Sequence, residues 1–108
     1  MEQTDEQKKT MREQLEFREK QAKIMLRQLA VNRKLVERTM DRIKADREVV
    51  EKVELRDEKN EYKKNVLKAR LAEIDAILEG ERLKLEMVEF NREVAEKQLE
   101  ELGRMLSQ

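Results

Sequence analysis

Apolar residues recur along the first half of the chain at a spacing of seven. Leu15, Ala22, Leu29, Val36, Ile43 and Val50 form this series without a gap, and Met11, Met25 and Val53 add a three/four alternation. A helix lying against another helix produces this pattern, because a repeat averaging 3.5 residues keeps one apolar stripe facing its neighbour. With Leu15 at heptad position a, position d holds Met11, Arg18, Met25, Asn32, Thr39, Asp46 and Val53. Leu26 and Met40, one residue further round, stand in for the polar members of that series. Buried polar residues in a seam fix register or partner number at some loss of stability. The pattern predicts a helix over about 4–56, opened by Thr4 and Gln7 as a capping box, with Asp5 and Glu6 at the positive end of its dipole.

The interval from Arg56 to Glu61 contains no apolar residue, and Asp57 and Asn60 are the best internal helix caps. A turn is expected at about 57–60. A second seam then runs through Leu67, Leu71, Ile74, Leu78, Leu85, Val88, Ala95, Leu99, Leu102 and Leu106, with Glu81 and Arg92 as polar members. It predicts a second helix over about 61–106, with Gly103 as its C-cap. The expected fold is all-α: a single domain over 1–108 forming a long antiparallel helical hairpin, coiled-coil-like and self-associating. Breaks at Asn32 or Gly80 would instead give a three- or four-helix up-down bundle.

Charge favours folding the chain back on itself. Nine basic and three acidic residues lie between Lys20 and Arg47, against ten acidic and four basic between Glu73 and Glu101. In a hairpin whose facing residue numbers sum to about 118, these blocks lie side by side and complement each other. That register sets Arg38 or Arg42 near Glu81, and Arg18 near Glu100 or Glu101.

Each helix carries further apolar residues away from its seam. On a helical wheel Ile24, Val31, Leu35 and Val49 lie roughly 200–240° from the Leu29 seam, and Leu83, Met87 and Phe90 lie about opposite the Leu85 seam, in the company of Ala69, Ala72, Ala76 and Val94. One hairpin contact covers one face of each helix, so these seven large residues are the candidate partner-binding positions, for a second copy or another protein.

Composition narrows the chemistry. The 108 residues include no proline, two glycines, no cysteine and no histidine, and 46% are charged. Serine appears once, as Ser107. Ser/His/Asp and Cys/His nucleophilic machinery is therefore excluded, as are Glu-x-x-His di-metal sites, disulfides and phosphate-cradling glycine loops. No cofactor, metal or small-molecule substrate is expected, and the chain is expected not to be an enzyme. Lys plus Arg equals Asp plus Glu, 25 each, which removes any global attraction to nucleic acid or anionic membrane. No apolar run approaches membrane-spanning length, and Met1 to Lys9 is too polar for a secretory signal, so a cytoplasmic setting is expected. The function expected is a protein–protein interaction module: adaptor, scaffold, chaperone or inhibitor. The alternative is nucleic-acid binding through a basic stripe, Lys20, Lys23, Arg27, Arg33, Lys34, Arg38 and Arg42. Pairing of that stripe with the acidic block of the second helix is the expectation that competes with it.

Overall fold

The computed structural model describes residues 4–108. Helix α1 spans Asp5–Val49, a π-helical segment follows at Val50–Leu55, and helix α2 spans Glu61–Leu106. There is no strand among the described residues, and the fold is an antiparallel helical hairpin. Neither Asn32 nor Gly80 interrupts its helix, so the bundle of shorter helices does not form.

Local chemistry explains where the helices start. The Thr4 amide donates to Gln7 Oε1 at 2.9 Å and the Gln7 amide donates to Thr4 Oγ1 at 3.1 Å, a complete capping box. At α2 the Lys63 amide donates to Asn60 Oδ1 at 3.1 Å, which makes Asn60 the N-cap. The Asn60 amide in turn donates to Glu58 Oε1 at 3.0 Å and fixes the turn. Asp57 does not cap; its carboxylate takes Arg56 Nε at 3.0 Å. Gly103 is no C-cap either. It lacks the left-handed conformation such a cap requires, and its carbonyl accepts the Ser107 amide at 3.1 Å within the last helical turn. The seam continues past it to Leu106, which is half-buried, so packing carries the helix beyond the glycine.

Contacts group into two units: Met1–Asn32 with Val88–Gln108, and Arg33–Met87. In the first, Ala22, Leu29 and Ala95 are buried, and Arg12 Nη1 donates to the Leu106 carbonyl at 3.2 Å, in the expected register. In the second, Met40, Val50 and Leu78 are buried. There Arg47 meets Asp75, one helical turn beyond Leu71, the residue that a sum of 118 sets against it.

All ten apolar seam positions expected on α2 are buried or half-buried. On α1 the seam corrects the expected frame. Its partly or fully buried members are Leu15, Glu19, Ala22, Leu26, Leu29, Arg33, Val36, Met40, Ile43, Arg47 and Val50, with Thr39 beside Met40. Met11, Arg18, Met25, Asn32, Asp46 and Val53 are exposed. Side-chain reach accounts for this choice. A seam arginine lays its methylene stem over apolar surface and carries its charge to an acid at the edge, which the short side chains of Asn32 and Asp46 cannot do. Arg33 reaches Glu37 at 2.9 Å, and Arg47 reaches Asp75 at 2.6 Å and also Glu51. Glu19 is likewise held by Lys23 at 3.5 Å.

The π segment has a reason in the same pattern. After Val50, α-helical spacing would put Glu54 into the seam. A π turn takes about one residue more than an α turn, and Leu55 becomes half-buried in its place. Glu54 stays outside, 3.7 Å from Arg70.

Candidate interaction surfaces

The polar residues retained in the seams bear on function first, because a buried charge without a duty elsewhere in the fold would mark a chemical site. Each here has a structural duty. Glu81, whose side chain is 12% exposed, is 2.9 Å from Lys84 Nζ on its own helix. Arg92 Nη2 is 2.9 Å from Glu89, and its Nε lies 3.9 Å from Glu96. Arg47 and Asp75 form the strongest cross-helix pair. Hydrogen bonding to Asp75, then its charge, raises the Arg47 pKa; the same hydrogen bond holds the Asp75 carboxyl below the ordinary carboxylate range. The anticipated pairs do not form: Glu81 takes Lys84 rather than Arg38 or Arg42, and Arg18 makes no ion pair with Glu100 or Glu101 among the described residues. Nor is there among them a cluster of three or more acids that could share a metal ion. No helix among them is long and apolar enough to cross a membrane.

The seven apolar positions singled out from the sequence are all exposed. In the first unit these are Ile24 (54%), Val31 (56%) and Phe90 (61%). In the second they are Leu35, Val49, Leu83 and Met87, each more than half exposed. Leu83 and Met87 stand one turn apart on α2, so they share a face. Sixteen large hydrophobic side chains are exposed among the described residues, against six buried apolar ones. More large apolar side chains thus lie outside the hairpin than inside it.

The first unit also contains a groove of ≈ 700 Å³ between the helices, with Met25 and Met105 on its walls and Arg18 and Glu101 at its rim. Sequence reasoning had assigned Met25 to the seam and so missed this groove. The signal that identifies it is the frame through Leu26: once Leu26 is inside, Met25 must flank the seam.

The basic stripe is less paired than its charge blocks suggested. Lys23 takes Glu19 and Arg33 takes Glu37, both within α1. Lys20, Arg27, Lys34, Arg38 and Arg42 are exposed and make no ion pair among the described residues. The expected pairing of these five with the acidic block of α2 is therefore not formed, because their heptad positions turn them away from the seam.

Comparison of the chain with protein-family models, with curated proteins and with solved structures finds no match.

Proposed function

We propose that this chain is a non-enzymatic protein–protein interaction module. Its seam builds a helical hairpin, and its outer helix faces bind other helical proteins, in the role of adaptor, scaffold, chaperone or inhibitor. The observation that carries the reading is the excess of exposed over buried large apolar side chains on a chain that is 46% charged. Soluble monomers rarely leave contiguous apolar surface open, and a helix face with anchors at i and i+4 is the form in which helices recognise helices. Met87, Met25 and Met105 suit such surfaces, since an unbranched thioether re-packs against varied partners. The proposal includes a cytoplasmic setting, tested by fractionating source cells.

The experiment is affinity capture from those cells, with wild type compared to Leu83→Asp with Met87→Asp. Both side chains are solvent-exposed, so the variant is expected to keep the helical circular dichroism signal. It should lose captured protein, because two charges then sit in what must become a dry contact. Equal capture by both chains would refute the role of this face.

A second reading has one observation in its favour. Lys34, Arg38 and Arg42 in the second unit are exposed cations with no acid partner among the described residues. Binding to a nucleic-acid duplex that weakens linearly in log–log plots against salt would support it; no binding at low salt would dismiss it.

A further inference from the structure

The first unit has a second repeat that the hairpin does not use. Gln7, Gln14, Gln21 and Gln28 recur every seven residues along α1, all exposed. Three surface grooves follow one another between successive glutamines: one lined by Gln7 and Gln14, the next by Gln14 and Gln21, the third by Gln21 and Gln28. The positions that keep phase with these glutamines at steps of three and four form a strip from Thr4 to Asn32. It has thirteen members, every one exposed, and Arg18 alone is charged. At the overall charge fraction of this chain about six would be expected, and depletion of charge is the compositional mark of an interface core. The flanking heptad positions show the opposite bias: from Glu6 to Ala30, seven of eight are charged. A face turned permanently to water has no reason to shed charge so selectively.

From this arrangement we infer that the strip is the interface of a symmetric dimer, with a second copy of the chain lying antiparallel across it. The inference rests on the interaction-module reading and assigns this surface its occupant. Self-complementarity selects the copy over another protein. An isologous contact repeats every interaction twice, so it must be neutral with itself. The wide groove meets that condition, because it holds one cation, Arg18, and one anion at the same level, Glu101 from α2. These two are not paired within the chain. A two-fold axis through the groove sets Arg18 of each copy towards Glu101 of the other. Glutamines at a constant spacing meet glutamines when the strip is reversed on itself, and each amide both donates and accepts. With 25 basic and 25 acidic residues, no net repulsion separates two copies. The strip is about 42 Å long at 1.5 Å per residue, and with the adjoining face of α2 it offers roughly 700 Å² per copy. Stable dimers bury about 800 Å² per partner.

The test is sedimentation equilibrium of the full chain at about 50 µM, a concentration that populates a micromolar dimer. Wild type is expected at twice the 13.0 kDa chain mass. Arg18→Glu alone and Glu101→Arg alone should each weaken association about tenfold or more, because each sets like charges together at two places. Mixing these two single variants should restore the dimer, since the hetero-pair regains opposite charges at both contacts. Circular dichroism checks that each variant stays helical. A monomeric wild type overturns the dimer, as does an oligomer that neither substitution weakens. Restoration only when both substitutions share one chain also overturns it, because the pair would then be internal. The capture experiment with Leu83 and Met87 uses residues of the second unit, so its failure is read separately from failure of the dimer.

Discussion

Asp75 shows what a single residue contributes. Its carboxylate accepts from Arg47, a seam arginine that also holds Glu51, and this bonding keeps the Asp75 pKa below the ordinary carboxylate value. A depressed folded-state pKa means that the pair stabilises the fold above the unfolded pKa, and that the contribution is lost as pH falls through the folded one. Asp75→Asn is therefore expected to lower the denaturation midpoint at neutral pH. The gap to wild type should close in acid, below the ordinary carboxylate value. A gap that persists unchanged in acid would show that Asp75 acts by packing and not by charge. The sequence made the attraction between the basic block of α1 and the acidic block of α2 legible. It did not make the individual partners legible, because blocks rich in charge attract each other almost equally at registers one turn apart. Side-chain reach decides among those registers, which is how Glu81 comes to be served by Lys84 rather than by Arg38 or Arg42.

Element boundaries were legible where a side chain answers a backbone group. Thr4 with Gln7 and Asn60 with Lys63 cap the two helices as their residue types require. Replacing Asn60 by Ala should destabilise the hairpin by about 1 kcal/mol in chemical denaturation, since the α2 start loses its side-chain acceptor. A neutral result would place the origin of the turn elsewhere. The glycines misled because a glycine is only permissive. Gly80 lies inside α2 and a Cβ added there meets nothing within 4 Å. Gly80→Ala should accordingly stabilise by about 1 kcal/mol, through the lower entropy of the unfolded chain. Destabilisation instead would mean that another helix approaches Gly80 closely in solution. The π segment was not legible either. Regular spacing points to Val53 and Glu54, and only the burial of Leu55 shows that the chain widens its turn to avoid placing an acid in the seam.

At the level of the whole molecule, the division of labour between helix faces was the most readable property of the sequence. The α2 seam appears in full as spaced, and the seven outer apolar positions are exposed as the wheel implied. What the sequence left open was the frame of α1, since Met25 and Leu26, or Thr39 and Met40, are neighbours of similar apolar character. Choosing Leu26 and Met40 moves Met11, Met25 and Asn32 to the outside and creates the charge-poor strip of the first unit. The same division states what holds the fold together. Leu29 is 8% exposed and belongs to the seam, whereas Leu83 and Met87 are 57% and 60% exposed and do not. The direct measurement is thermal unfolding of Leu29→Asp beside Leu83→Asp with Met87→Asp, at equal concentration. Burying a charge in the seam is a loss of about 3 kcal/mol or more. For a chain of this size that lowers Tm by about 12 °C or more. The Leu83/Met87 variant is expected to melt within a few degrees of wild type (about 3 °C), because exposed substitutions change stability little. A Leu83/Met87 variant that melts as low as Leu29→Asp would contradict the division, for those residues would then hold the fold and leave no spare face for a partner.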